Sequence, residues 1–285
     1  MTAVAVIVQY ALREALRRKV FAVVLLLTVV FLGLFWLATH FVHNELDTIT
    51  PPSDVHVDTR TFAGAFLMGL AMFATLFLGV VLAVFLTLGV VSGDAERGLL
   101  QPLVVRPIGR STLLLSRFLA AASVCAAYVL GVYFVALTIV GLTLHWWPTN
   151  VVGPGAELTV GVLIVIALSL LGSVALSGTA NGIAVFMLFG AGLVAGLLGT
   201  IGHALNSSQI RHASKIASYA LPFEGLYQDG LRLISRDTTG ATSFLLNLGP
   251  FGGAYIHGWP IRIWAAAYLL LVLVAAVAAF SRRNL

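Results

Sequence analysis

Residues 20–42 read VFAVVLLLTVVFLGLFWLATHFV, without an Asp, Glu, Lys or Arg. A helix rises about 1.5 Å per residue, so ~20 apolar residues cross the hydrocarbon core of a bilayer. This stretch therefore predicts a membrane-spanning helix. Its apolar run exceeds the ~7–15 residues of a cleavable signal peptide, so we expect the helix to remain in the mature protein.

The same pattern predicts five further spans along the chain. The uncharged run 158–210 is too long for one helix, and the turn residues at 177–182 divide it. The sequence thus predicts an all-α, polytopic membrane protein that forms one transmembrane domain over residues 1–285. The six predicted spans are residues 20–42, 62–91, 118–144, 158–176, 183–202 and 263–280.

Composition supports the membrane assignment and excludes an ordinary soluble enzyme. The chain is 60% hydrophobic and 9% charged, against roughly 45–50% and 25% in average soluble domains. The sixteen Lys and Arg lie in short clusters between apolar runs, which speaks against a nucleic-acid partner. The single cysteine, Cys125, cannot form an intrachain disulfide.

Charge asymmetry predicts the orientation. Six spans place both termini on one side, and that side carries ten Lys and Arg against three acids, whereas the other carries six against eight. By the positive-inside bias the basic side is cytoplasmic, so we expect a plasma (inner) membrane protein with both termini inside. Long loops translocate largely regardless of charge, so the opposite orientation is the alternative.

The predicted spans contain no charged residue, and ion-coupled transporters normally carry such residues inside the membrane. No coupling to a proton or ion gradient is therefore evident. The sequence also lacks HExxH, GxSxG and GxxxxGK[ST] patterns. We predict no catalytic, cofactor-binding or metal-binding residue, so energy for transport would come from another polypeptide.

Two segments are predicted on the cytoplasmic side. Residues 1–19 have apolar residues at helical spacing opposite basic ones, typical of an interfacial amphipathic helix, although a basic flank of the first span explains them equally. Residues 92–116 read SGDAERGLLQPLVVRPIGRSTLLLS. Asp94 and Glu96 suit the first turn of a helix, Pro102 the start of a second, and Pro107 its end. The segment predicts a charged, kinked hairpin; a capped loop with orienting arginines is the alternative.

The stretch ERGLLQPLVVRPIGR resembles the corresponding motif of type-2 ABC transporter permeases. It is similar to the six-span bacterial branch that includes permeases named for multicopper enzyme maturation. The resemblance extends to the N-terminal segment and to the LPFE at 221–224 before the last span. It implies that residues 92–116 are a coupling helix that docks on a separate cytoplasmic ABC ATPase, present in two copies. The implied interface comprises Asp94, Glu96, Arg97, Gly98, Leu99, Leu100, Leu103, Arg106, Pro107 and Arg110.

The resemblance implies further partners: a second permease copy, as a homodimer, membrane lipid, and ATP and magnesium in the ATPase rather than in this chain. Small residues at helical spacing let helices approach closely. They indicate intramolecular packing, a dimer interface or a translocation path. These residues are Ala71, Thr75, Gly79, Ala83, Ser169, Ser173, Gly192 and Gly196.

All seven histidines fall at or beyond the outer ends of the spans, where a metal or pH-responsive rim is one interpretation and ordinary interfacial placement the other. The segment 203–259 predicts interfacial or re-entrant helices, either a lid or an anchor, with Tyr227, Trp259 and Trp264 as interface anchors.

The sequence as a whole predicts a permease that exports a hydrophobic or amphipathic substrate. A non-transporting membrane scaffold that recruits a cytoplasmic partner is the alternative. An intramembrane lipid enzyme is disfavoured because the spans hold no paired carboxylates and no nucleophile with its base.

Overall fold

The computed structural model describes residues 19–46, 59–88, 110–235 and 258–282. These residues form eight α-helices and no strand. In chain order the helices are α1 Lys19–Leu46, α2 Thr59–Thr87, α3 Arg110–Leu144, α4 Gly153–Ala175, α5 Gly178–Ala204, α6 Ser208–Ala220, α7 Pro222–Ser235 and α8 Gly258–Arg282.

Six of these helices, α1 to α5 and α8, are long and apolar enough to cross a membrane. The all-α, six-span prediction is therefore confirmed, and the chain is a multi-pass membrane protein. Most helices extend beyond the predicted spans, because a helix continues through its polar ends. The most consequential extension is in α4, which begins at Gly153 rather than residue 158 and so includes Glu157.

Contacts between the helix ends show that the spans alternate in direction. His43 at the end of α1 lies beside His145, which follows α3, with ring centroids 6.4 Å apart. At the opposite end, Thr87 of α2 is hydrogen-bonded to Ser169 of α4 (2.6 Å). We call the end with His43 and His145 the distal end, which corresponds to the predicted outer face, and the other the proximal end.

Helix α4 lies at the centre of the bundle, where it packs against α2, α3, α7 and α8. Gly79 of α2 makes room for it, because a Cβ there would lie 3.0 Å from side-chain atoms of both Val129 and Val162. Gly64 lies against the Trp146 ring in the same way near the distal end. Small residues thus set the spacing of the core helices.

Helix α1 lies at the edge of the bundle and packs chiefly against α2 and α3. Its buried residues are Val24, Thr28, Phe35 and Thr39. The Thr28 hydroxyl is hydrogen-bonded to that of Tyr128 on α3. Most other α1 side chains face outward, including Trp36 and Phe41, as expected for a helix that lipid surrounds on most sides.

Candidate functional site

The predicted ATPase interface falls almost wholly on residues 89–109, outside the described residues. Arg110 begins α3, and its side chain is not among those described. The interfacial helix predicted over residues 1–19 lies outside the described residues as well, except for Lys19. Both predictions stay predictions.

The small residues predicted to line a path or an interface lie inside the bundle. Ala71, Thr75, Gly79 and Ala83 form one buried stripe of α2, and Ser169 and Ser173 are buried on α4. The Asn181 amide of α5 donates to the Ser169 carbonyl (2.9 Å). These contacts are intramolecular packing, so this part of the stripe holds α2, α4 and α5 together.

Two short helices at the distal end, α6 and α7, form a helical hairpin joined at Leu221. Ser207 caps α6 by accepting from the Ile210 amide, and the Ser214 hydroxyl ties α6 to the Ala195 carbonyl of α5 (2.7 Å). The Trp264 indole of α8 donates to the Tyr219 carbonyl (2.7 Å). The hairpin is thus bound to spans on two sides.

Helix α7 is a buried element, because twelve of its fourteen residues are buried. It packs mainly against α4, and also against α2, α5 and α8. The prediction of Tyr227 as an interface anchor is wrong. Its side chain is only 3% exposed, and its ring lies edge-on to Phe73 of α2 at 6.4 Å, so the hairpin inserts its aromatic face into the bundle.

The Asp229 cluster, made of Asp229, Glu157, Arg232 and Arg262, joins three helices by charge. Arg232 donates from Nε to Asp229 Oδ1 (3.0 Å), and Arg262 of α8 donates from Nε to Oδ2 (3.0 Å). The Gly258 amide also donates to Oδ1 (3.1 Å). Arg262 Nη2 forms a second ion pair with Glu157 Oε1 of α4 at 2.7 Å. The cluster therefore fixes α7 to the distal ends of α4 and α8.

Burial acts to raise the pKa of Asp229, but hydrogen bonds from Arg232 and the Gly258 amide and the charge of Arg232 outweigh it, so that pKa lies below its ordinary value. Asp229 is thus an ionised group matched by cations. The two guanidinium side chains are about 28–29% exposed while the Asp229 carboxylate is fully buried. The cations of the cluster are therefore partly accessible to solvent, and the acid is not.

Two charged residues of the Asp229 cluster lie in the helices that contain the fourth and sixth predicted spans, just outside the predicted span bounds. Glu157 is 7% exposed within α4, and Arg262 lies within α8. The predicted spans began just after these residues, since a hydropathy run stops at the first charge.

The Glu224 site is a second buried acid on α7, with neutral partners. Glu224 is 1% exposed, and its Oε2 accepts from the Ser218 hydroxyl of α6 (2.9 Å). Its Oε1 lies against Gly196 of α5, with the Gln228 amide beside it: a Cβ on Gly196 would overlap Oε1 and lie 3.0 Å from Gln228 Nε2. No Lys or Arg among the described residues forms an ion pair with Glu224.

Burial raises the pKa of Glu224 to about 7, and hydrogen bonds from Ser218 and Gln228 limit the rise. Burial and the nearby Glu224 also raise the pKa of Tyr227, so that hydroxyl stays protonated. Glu224 Oε1, the Tyr227 hydroxyl and Gln228 Oε1 have no hydrogen-bond partner among the described residues. The site therefore holds a buried carboxyl group with a raised pKa, among polar atoms that could form further hydrogen bonds.

Gly192 and Gly196 act together at this site. A Cβ on Gly192 would lie 2.6 Å from the Phe223 ring, and Phe223 in turn stacks on Phe189 at 5.8 Å. The predicted close approach at these glycines is therefore between α5 and the hairpin of the same chain.

The histidines give no metal site among the described ranges, where no group of three or more His, Cys, Asp or Glu could hold an ion. His40 stacks on Trp36 (6.0 Å), and His43 lies near His145 as described above. His56 and His257 lie outside the described residues, and the His203 side chain is not described.

Sequence reasoning missed the two acid sites of α7, although one signal was present. Residues 222–234 place Phe223, Leu226, Tyr227, Leu231 and Ile234 at helical spacing, and all five side chains are buried. Glu224 and Asp229 sit within this apolar pattern, which indicates acids on a buried helix. No protein-family model and no curated protein matches the chain.

Proposed function

We propose that this chain is the membrane-spanning subunit of an ATP-binding-cassette transporter, an exporter of a hydrophobic or amphipathic molecule. A separate cytoplasmic ATPase in two copies energises it, and a second permease copy completes a homodimer. The observation that carries the proposal is a bundle of six apolar helices in which a charged segment of about twenty residues joins α2 to α3.

The packing of α2 and α3 supports this role. Both helices pack against each other and against the central helix α4, so a displacement of their proximal ends would reach the core. The Thr87–Ser169–Asn181 contacts couple that end to α4 and α5. A partner that pushes residues 92–116 would therefore move several spans together, whereas a displaced peripheral helix such as α1 would move few.

The hairpin α6–α7 supports an outward role for the distal end. It fills space between α4, α5 and α8, and in the proposed orientation it faces the exterior. In an exporter this is where a closing element is needed, because the substrate leaves there.

The first test is purification of the chain from its native membrane in mild detergent, with identification of the proteins that accompany it. We expect a stoichiometric protein with a P-loop, and ATP hydrolysis by it that changes when the chain is present. A rate of ATP hydrolysis that is the same with and without the chain would favour the non-transporting scaffold instead.

The second test addresses the dock. The double variant Glu96→Ala and Arg110→Ala should insert normally and lose the ATPase during co-purification, because it removes charges that fix the register of docking. The control pair Glu45→Ala and Arg60→Ala makes the same charge change at the distal end and should keep the ATPase. If the Glu96→Ala and Arg110→Ala double variant retains the ATPase, residues 92–116 are not the docking site.

Orientation is tested by single cysteines at Ser53 and Ser111, labelled from outside. The native thiol of Cys125 is fully buried, so it should not react with the labelling reagent. We expect labelling at Ser53 only, and the reverse pattern would overturn the topology.

A further inference from the structure

Glu224 differs from other acids of the bundle in what surrounds it. The Asp229 cluster pairs its carboxylates with two guanidinium groups. Glu224 has a hydroxyl, an amide and a glycine around it. An ionised carboxylate in a dry site costs several kcal/mol unless it is paired, so such a group holds a proton or gains water.

Each element packed against the site contributes neutral atoms at the carboxyl group. Helix α6 contributes Ser218, α5 contributes Gly192 and Gly196, and α7 itself contributes Tyr227 and Gln228. Glu157, Asp229, Arg232 and Arg262 are engaged in the Asp229 cluster, and His212 and Lys215 of α6 are exposed. The other titratable or charged residues of the helices packed against α7 are Arg60, His203, Arg211, Tyr219, Tyr268 and Arg282.

We propose that Glu224 is a proton-binding site, and that the proton it holds keeps the α6–α7 hairpin seated against α5. The geometry supports both parts. Oε2 is tied to α6 through Ser218, and Oε1 touches α5 at Gly196, so one carboxyl group lies at the junction of three helices.

Loss of the proton would strain this junction. The carboxylate would require further donors or water, and the contact at Gly196 leaves no room for either on that side. The hairpin is held at the Asp229 cluster, five residues further along α7, so the segment that can yield is the contact of Ser218 and Glu224 with α5. Ionisation should therefore loosen that contact while the charged cluster stays closed.

The proposal concerns the chain alone and does not depend on the ATPase partner. It is tested on the full chain in lipid nanodiscs by infrared difference spectroscopy over about pH 5 to about pH 9, a range that lies above ordinary carboxyl titration and is centred on the raised pKa of Glu224. We expect one component of the band of buried protonated carboxyl groups to disappear with a midpoint near pH 7, and this titrating component to be missing in Glu224→Gln. The control Glu45→Gln, an exposed acid of α1, should keep this component.

A second variant guards against misfolding of the first. Ser218→Ala removes a donor to the carboxylate and should move the midpoint upward by about one pH unit. A titrating component that persists unchanged in Glu224→Gln, or a wild-type chain without a titrating component, would overturn the proton site.

Hydrogen–deuterium exchange tests the seating. After correction for the chemical rate, amides of α6 and of the first turns of α7 should exchange several-fold faster above the midpoint in the wild type. Glu224→Gln should stay protected, and amides of α4 should not change in either protein. An equal increase in both proteins would overturn the link between the proton and the hairpin.

Discussion

Asp229 and Glu224 lie five residues apart on α7, both are almost fully buried, and they are held in opposite ways. Asp229 has two arginines, from α7 and α8, whereas Glu224 has a serine and a glutamine. The pKa of the first is lowered and that of the second is raised to about 7. Cationic donors outweigh the effect of burial on the pKa of Asp229, whereas the neutral partners of Glu224 do not outweigh it.

The largest effect should come from Asp229→Asn. It leaves Arg232 and Arg262 without their shared carboxylate, and breaking a buried ion pair costs about 3–5 kcal/mol. The free energy of unfolding in mixed micelles should fall by about that amount, while Glu45→Gln should stay within about 0.5 kcal/mol of wild type. A loss below about 1 kcal/mol would show that the cluster is not the anchor of α7.

The pH dependence of stability should separate the sites. Glu224 has a folded pKa of about 7, above its ordinary 4.5. Its contribution to stability is therefore fully present below pH 4.5 and lost as the pH rises through 7, by at most about 3 kcal/mol. Asp229 has a lowered pKa, so its contribution is present above its ordinary 3.8 and lost only in stronger acid.

Unfolding measured across this range in wild type and Glu224→Gln isolates the contribution of Glu224, because the two proteins differ only at that residue. The difference between the two proteins should change with pH. A constant difference would contradict the assignment of Glu224.

A smaller effect is expected from Gly196→Ala. The added methyl group overlaps Glu224 Oε1, and overpacking typically costs about 1–3 kcal/mol. Gly190→Ala is the matched control in the same helix, since no atom lies within 4 Å of a Cβ there. Thermal unfolding should distinguish them, and equal midpoints would mean that α5 does not press on the carboxyl group.

The smallest effect should come from Arg232→Ala. Arg232 is an i,i+3 partner of Asp229 with 29% of its side chain exposed. When it is removed, Asp229 keeps its hydrogen bonds from Arg262 and the Gly258 amide, so we expect a cost of about 1 kcal/mol, the upper end for partly exposed pairs. Arg262→Ala should cost more, because it removes ion pairs to both Asp229 and Glu157. The free energies of unfolding of the two variants should be measured under the same conditions. A larger loss in Arg232→Ala than in Arg262→Ala would show that the stabilising ion pair lies within α7 rather than between helices.

The six spans could be predicted because each is a long uncharged run, and hydropathy responds to that alone. The small-residue stripes of α2 and α5 also pointed to close approach, but their partners could not be predicted, since spacing on one helix does not identify what lies opposite. Gly196 contacts Glu224 across 28 positions of sequence.

The acid sites could not be found for a related reason. Glu157 and Arg262 stand where apolar runs begin, so hydropathy alone assigns them to the flanks of spans. Helix α7, with fourteen residues, is too short to be predicted as a span. Only the apolar spacing around Glu224 and Asp229 indicated burial. Arg262 pairs with Asp229 and not with Glu224 because of the way α7 lies against α8. The sequence around these residues does not specify that arrangement.

The position of α1 has a consequence for how this chain can vary. Its buried residues, Val24, Thr28, Phe35 and Thr39, are spaced by four, seven and four residues and form one narrow seam. Lipid accepts almost any apolar side chain elsewhere on the helix. The lipid-facing positions of α1 should therefore accept many apolar substitutions, and the four buried positions should accept few. In a library randomised over α1 and selected for folded protein, these four residues should be retained.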